Sequence, residues 1–382
     1  PAPGLGSLFA GGDGTEANPY QIADWNDLDN VRNALDANFT LVADLDESMP
    51  NYDSVAGPSA NGGHGFVPIA RDTDPEVLGH QGATFRGAFD GNGHTISGLT
   101  IDRPSETRVG MIGYLAGSST LRNVDLKAVD VTGDEYVGGV VGVHRTQART
   151  ITSVSVDGTV TGNSSVGGLV GNNVGKIESS SAAVSVTGTS AVGGLVGVNL
   201  DGRITDSTAS GTVHSSGGGS AIDGTGGLVG TSINGHIELS NASGDVSGGT
   251  TSGVGGLIGV NLAERVYATV VKSNATGDVT GGDNVGGLLG LNVGDLVTES
   301  YATGDVTATG DNIGGLIGRN TDMRRGGPPI NATVTDSYAT GDVSGTQNIG
   351  GLVGNNTAST GGENVINNSY AVGTVSGKSA GG

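Results

Sequence analysis

Between residues 136 and 377 the apolar positions come in short alternations, never in runs of helical period. Each unit opens on V-G-G-L-[VIL]-G-x-N, as in VGGLVGNN at 166–173, VGGLVGVN at 192–199, VGGLIGVN at 254–261, VGGLLGLN at 285–292 and IGGLIGRN at 313–320. An S-x-A step follows, as in SNATG at 273–277 and SYATG at 300–304 and 337–341, and then D-V-T/S-G, as in DVTGG at 278–282. Valine, isoleucine and threonine dominate these pieces and glycine stands between them, which is strand composition with corners. The first glycines of the G-G pairs fall at 138, 167, 193, 226, 255, 286, 314, 350 and 381. A recurrence of about 30 residues with variable loops is the mark of a solenoid or a propeller. Propeller blades need four antiparallel strands and tight hairpins, and no Asn-Gly turn recurs at regular spacing. The pattern therefore predicts an all-β chain: a single-stranded parallel β-helix (β-solenoid) with three strands per coil of about 30 residues. Parallel crossovers favour a right-handed coil, although left-handed β-helices exist.

In such a coil each sequence position becomes a column, with neighbours about 4.8 Å apart. One column reads His144, Asn173, Asn199, Ser232, Asn261, Asn292, Asn320, Asn356. Stacked amides hydrogen-bond along the axis, so this column is read as structural. Alternation in S-x-A-T-G-D-V sends Ser, Ala, Gly and Val inward and x, Thr and Asp outward. The outward column Thr159, Ser185, Thr212, Asp245, Asp278, Asp305, Asp342, Thr374 places four aspartates on successive coils. Like charges that close are a solvated acidic stripe, screened by monovalent cations, or a specific Ca2+ site. The x column ends in Tyr301, Tyr338 and Tyr370, a candidate contact or sugar-stacking face, or cross-strand packing that stiffens the sheet. Insertions at 262–271, 321–334 and 357–365 follow one corner and are expected to protrude, the second carrying Arg324 and Arg325.

Residues 1–135 differ from the regular repeats of 136–382. In 23–37, Trp25, Leu28, Val31 and Leu35 recur at helical spacing behind Asp24 as N-cap, predicting a short helix that caps the first coil. Segments 38–46, 83–101, 109–113 and 120–126 read as irregular early coils, and the proline-rich stretch 47–82 as a long surface loop.

Composition narrows the function. The 382 residues include 74 glycines, 38 acidic and 17 basic residues, for a formal charge of −21. Nucleic acid is an improbable partner for such a surface. The acidic, lysine-poor balance suits a salty medium or an ordinary acidic secreted protein. There is no cysteine, hence no disulfide framework, and no apolar run long enough to span a bilayer. The chain opens on Pro1-Ala2-Pro3, which fits a mature secreted form or a trimmed one, and its final Gly381-Gly382 falls where a further apolar pair is due, so repeats are expected to continue. Glycosylation sequons start at Asn38, Asn163, Asn241, Asn274, Asn331, Asn355 and Asn367. Catalytic signals are sparse. Asp90 and His94 in FDGNGH read first as a turn, and His64, His80, His214 and His236 lack metal-ligand spacing.

The repeated GGLVG with its S-x-A-T-G resembles the GLUG-motif repeats of bacterial and archaeal surface proteins, and 11–46 with 85–101 resembles the lead-in that often precedes them. The resemblance implies an extracellular β-helix of the kind found in adhesins and in non-catalytic parts of large secreted proteases. The expected function is accordingly a non-enzymatic, extracellular structural or adhesive solenoid at the cell surface, without cofactor, whose partners are cell-surface glycans, proteins or copies of itself. Two rivals stand beside it: a filament or sheath subunit stacking coil on coil, and a polysaccharide lyase or hydrolase built on a β-helix.

Overall fold

A computed structural model describes residues 5–71, 83–145, 147, 150–217, 222–264, 268–323 and 329–377. Among the described residues the named strands pair in parallel from coil to coil, antiparallel contact being confined to isolated bridges such as Gly65 to Ile101, and one coil follows the next along a single axis. The parallel β-helix expected from the pattern is the fold.

The division of each coil is finer than the three strands expected. Four sheets run along the axis. Taken in chain order within a coil, sheet I holds the x-V-G strands, eight in all, such as Val254–Gly255. Sheet II holds the nine L-G-x-N strands, such as Ile258–Leu262. Sheet III has twelve strands, from Tyr20–Ile22 to Val365–Asn367. Sheet IV takes the S-x-A and D-V pieces, as in Asn274–Ala275 and Val279–Gly281. The V-G-G-L-V-G-x-N motif thus spans two sheets with a corner at its second glycine. Sheet III leaves little trace in the sequence because most of its strands are three residues long and carry one buried residue, as in His236–Glu238 and Thr333–Thr335.

Glycine recurs because three positions per coil have no room for a Cβ. A Cβ on Gly255 would lie 2.0 Å from the Ile258 carbonyl oxygen and 2.7 Å from the Gly290 nitrogen. On Gly256 it would lie 2.1 Å from the Gly287 oxygen and 2.8 Å from Ala275 Cβ, and on Gly259 2.2 Å from the Thr225 nitrogen. The second glycine of sheet I therefore meets the small alanine of sheet IV across a thin interior, while the leucine between them fills the core: Leu169, Leu195, Leu228, Leu257, Leu288 and Leu316 are all fully buried. Gly138, Gly167, Gly193, Gly226, Gly255, Gly286, Gly314 and Gly350 stack in register through eight coils.

Not every corner is turned by glycine. Between sheets III and IV the chain turns at Asn123, Ser153, Ser179, Asp206, Leu239, Lys272, Glu299, Asp336 and Asn368, each with φ near +50°. The next residue compensates. Ser180, Ser207, Ser240, Ser273, Ser300 and Ser337 are buried; each hydroxyl donates to the carbonyl two residues back and accepts a backbone N–H one coil earlier, that of Val154 for Ser180 and of the preceding serine from Ser207 onward, at 3.1–3.3 Å. A corner outside the β-ladder keeps its backbone satisfied this way.

The asparagine column does the same at the end of sheet II. His144 Nδ1 meets Asn173 Oδ1 at 2.8 Å, and Asn173 Nδ2 donates to Asn199 Oδ1 at 2.8 Å. Asn261, Asn292 and Asn320 donate in turn to Asn292, Asn320 and Asn356, at 3.3, 2.8 and 2.8 Å. The chain of amides is broken only at Ser232, whose side chain is too short: Ser232 Oγ and Asn261 Oδ1 are both buried and have no hydrogen-bond partner among the described residues. Ser232→Asn is expected to join the two runs and stabilise the fold by on the order of 1 kcal/mol, read as a shift of the urea midpoint at unchanged slope. A lower midpoint would show that the amide does not fit there.

The N-terminal part departs from expectation in two ways. The helix over 23–37 is only Trp25–Asn30, followed by a 3-10 turn at Val31–Asn33; Asp24 caps it, accepting from the Asp27 N–H at 2.9 Å. Trp25, Leu28 and Val31 are fully buried and Leu35 packs at the margin of the core. The stretch expected to be a surface loop from 47 is partly interior: Tyr52, Val55, Phe66 and Ile69 are buried, and the Phe66 and Ile69 N–H groups donate to Thr100 and Met111. Its aromatic and aliphatic residues fill the wide first coils, where aromatic residues rather than glycine line the core. Sheets II, III and IV continue across residue 135, while sheet I begins at Glu135–Gly138, preceded by a single parallel bridge from Val109 to Val137.

Candidate functional site

The outer face of sheet IV gathers most of the candidates. Thr208, Asn241, Asn274, Tyr301, Tyr338 and Tyr370 stand in one register line, as the alternation requires. The rings of Tyr301 and Tyr338 stack with centroids 4.9 Å apart and planes 2° from parallel; Tyr338 and Tyr370 follow at 5.3 Å and 8°. Desolvation between its neighbours, and then their charge, pushes the Tyr338 phenol above its ordinary pKa. Stacked in this way Tyr338 is covered by rings on both faces and Tyr301 and Tyr370 on one face each, Tyr370 being the exposed end of the ladder. A sugar needs an open ring face, so the geometry favours a stiffening ladder over a stacking platform.

The aspartate column has a definite structural task. Asp245, Asp278 and Asp305 each accept through Oδ1 the backbone N–H of the aspartate on the next coil, at 3.0, 2.9 and 2.8 Å, and Asp342 accepts that of Thr374 at 2.8 Å. These bonds bridge the gap between the two strand segments of sheet IV. Hydrogen bonds from Thr374 hold the Asp342 carboxyl below the usual range. Among the described residues no group of three or more His, Asp or Glu side chains is disposed to hold a metal ion. Replacing Asp245, Asp278, Asp305 and Asp342 by Asn keeps the acceptor oxygens and removes the charges. That variant is expected to melt several degrees higher than the parent at low ionic strength, with the gap closing near 1 M salt, where screening acts over about 3 Å. Replacement by Ala should lower the melting temperature at every salt concentration. Stabilisation of the parent by Ca2+ alone, lost in the Asn variant, would restore the cation-site reading.

The sequons divide by what their amide nitrogens do. Asn38 donates to the Gly14 carbonyl, Asn274 to Asn241 Oδ1 and Asn355 to Asn312 Oδ1, so these three are already engaged. Asn163 and Asn367 are exposed, while Asn241 and Asn331 are half-exposed on the surface.

Asp90 and His94 are not brought together. His94 Nδ1 lies 3.1 Å from Asp44 Oδ1, while Asp90 accepts from the Asn92 N–H, Asn123 Nδ2 and Arg122 Nε at 2.9, 3.0 and 2.7 Å. Burial works against the Asp90 charge, but the bonds from Asn123 and Arg122 outweigh it and its pKa is lowered. The segment is a turn, with Asn92 and Gly93 at φ +52° and +82°. His64 is exposed, His236 meets the Thr269 hydroxyl at 3.0 Å, and His80 lies outside the described residues. Full burial lowers the pKa of His144 to about 4, so it is neutral at the head of the amide column.

The first two insertions pack in part against the rod where they are described, while 357–365 is largely exposed. Val260, Leu262 and Val293 form a second apolar cluster on the outside of sheet II, with Ile233, Leu291 and Met323 packed against it. Met323 and Ile330 exchange two backbone hydrogen bonds of 3.0 Å, and the Ser359 N–H binds Asp322 Oδ1 at 2.7 Å. Apolar residues at outward positions drew these loops back onto the sheet: Val260 and Leu291 are adjacent in a column where Asn172, Thr231, Arg319 and Asn355 are polar. Arg324 and Arg325 lie outside the described residues. Among the described residues no helix is long and apolar enough to cross a membrane.

Comparison with known proteins agrees with this architecture. The GLUG motif matches residues 188–213 and 309–344. Halomucin of Haloquadratum walsbyi is 40% identical over 163 residues, which is 42% of this chain and 2% of halomucin. A protein of Evansella cellulosilytica described as a Gly-rich membrane protein is 36% identical over 180 residues, 47% of this chain and 16% of its own length. The chain thus spans a small part of both relatives. A crystal structure of an immunoglobulin A1 protease candidate from Bacteroides ovatus superposes with a TM-score of 0.51 at 19% identity, covering 79% of this chain and 80% of the other. At that identity the likeness is one of fold.

Proposed function

We propose that this GLUG-repeat β-solenoid is a non-enzymatic, extracellular structural element displayed at the cell surface, part of an adhesin or appendage. The observation that carries the proposal is the employment of its polar columns. The asparagines, serines and aspartates that recur from coil to coil are mostly engaged in hydrogen bonds along the axis, which builds a rod rather than a reacting centre. Such a rod holds its shape over many coils because each coil is bonded to its neighbours by backbone and side chains alike. Similarity to halomucin and to a Gly-rich membrane protein supports the surface location. The acidic surface, at −21, keeps such rods apart and soluble in salt.

Antibodies against the purified chain should label intact source cells, and mild protease treatment of those cells should remove the label. Cells lacking the chain should adhere less to a glycan- or protein-coated surface. Labelling only after permeabilisation would refute the surface assignment. Concentration-dependent fibres of the purified chain would favour the filament rival, and release of reducing ends from acidic polysaccharides the enzyme.

A further inference from the structure

A groove of about 520 Å³ crosses the outside of sheet III over its first rungs. Its floor is a grid of outward side chains from three adjacent strands: Asn38 and Thr40 on Asn38–Leu41, Ala88 and Asp90 on Ala88–Asp90, and Thr120 and Arg122 on Thr120–Arg122. Ala88 sits between Asn38 and Thr120, and its small side chain makes the hollow. Arg86 stands at the rim beside Ser118, whose hydroxyl donates to the Arg86 carbonyl at 3.2 Å.

Two features make this a prepared site. Asp90 is clamped by three donors, one of them Arg122 Nε, so the Arg122 guanidinium is held in place with its other N–H groups left for a ligand. The Thr120 hydroxyl and the Asn38 amide oxygen have no hydrogen-bond partner among the described residues. The charges then select the ligand class. Glu16, Asp36 and Asp90 oppose Arg86 and Arg122, so an anion meets three carboxylates and a cation meets two guanidiniums. A ligand whose groups are uncharged and both donate and accept satisfies carboxylates, guanidiniums and hydroxyls together, and vicinal sugar hydroxyls have that character.

We propose that this groove binds a neutral saccharide. The proposal deepens the adhesive reading and rests on it for its biological use, but the binding itself does not depend on where the protein is displayed. No aromatic ring face lines the floor, so a single site is weak, and many copies on a surface would supply avidity.

The test applies the labelled full chain to an array of mannose-, galactose- and N-acetylglucosamine-terminated oligosaccharides beside sialylated, uronate-containing and amine-bearing ones, and follows the best neutral ligand by titration calorimetry. Retention of neutral glycans is expected. Ala88→Ile plugs the hollow with a residue suited to an outward strand position, and Arg122→Ala removes the clamped donor. Each should weaken binding at least about tenfold, with melting curves confirming the fold, while Tyr338→Ala should bind as the parent does. Retention of charged glycans only, equal binding by Ala88→Ile, or no retention at all would overturn the proposal. Cells displaying Ala88→Ile that adhere as well as the parent would remove the groove from adhesion and leave the adhesive reading standing. Groove-dependent glycan binding by a chain that antibodies never find at the cell surface would do the reverse.

Discussion

Gly255→Ala is expected to destabilise the coils around it by about 3 kcal/mol or more. One added methyl would lie 2.0 Å from the Ile258 carbonyl oxygen and 2.7 Å from the Gly290 nitrogen, and both are backbone atoms fixed by the ladders of neighbouring coils. No rotamer change relieves such a contact, so the coil must open. Solenoids unfold through nearest-neighbour units, so the damage should be local. Amide hydrogen exchange should accelerate from about Gly226 to Gly286, with the N-terminal coils still protected. Gly282→Ala is the control: its methyl would find nothing closer than 3.4 Å and no left-handed φ is required there, so its exchange pattern and stability should match the parent's. Equal effects of the two substitutions would mean that glycine is used for chain flexibility and not for close approach.

Asp295→Asn should be stabilising at neutral pH, by about 1–3 kcal/mol. The Asp295 side chain is fully buried, and among the described residues only Oδ1 has a partner, the Ala268 N–H at 2.9 Å. Burial raises its pKa well above that of a free aspartate, with the Ala268 bond opposing. Below the unfolded pKa, near 4, the group is protonated in both states and costs nothing. As pH rises from there through the raised folded value, the unfolded chain releases the proton first, and stability attributable to this group is lost. The advantage of Asp295→Asn should therefore be largest at pH 7 and shrink toward pH 4 in chemical denaturation. His144, with its lowered pKa, produces the opposite slope, but it is common to both proteins and cancels in the difference. Asn364 shows that an amide fits the corresponding place two coils later: Oδ1 accepts the Ala332 N–H at 3.0 Å and Nδ2 donates to the Thr357 carbonyl at 2.7 Å. A constant difference between pH 4 and 7 would show that Asp295 is solvated.

The coil repeat, the stacking of G-G pairs and the inward or outward sense of Ser, Ala, Asn, Asp and Tyr were legible because a parallel solenoid converts sequence period directly into spatial column. The strands of sheet III were not, since three residues with one buried side chain, such as Lys176–Glu178, make no local pattern. The groove was invisible for a related reason: Asn38, Ala88 and Thr120 belong to the irregular early coils, 50 and then 32 residues apart, and no period announces that they become neighbours.

By itself, then, the sequence determined what repeats, because an alternation of small, branched and glycine positions has one economical way to bury itself coil on coil. Tertiary structure decided what happens where the repeat is imperfect. Ser232 interrupts the amide column, the outward Val260 and Leu291 draw an insertion down, and the aromatic residues of 47–71 fill the first coils. Each outcome depends on which chemical group lies one coil, about 4.8 Å, above or below. That is a fact of three-dimensional register, and loops of unequal length conceal it from anyone reading along the chain.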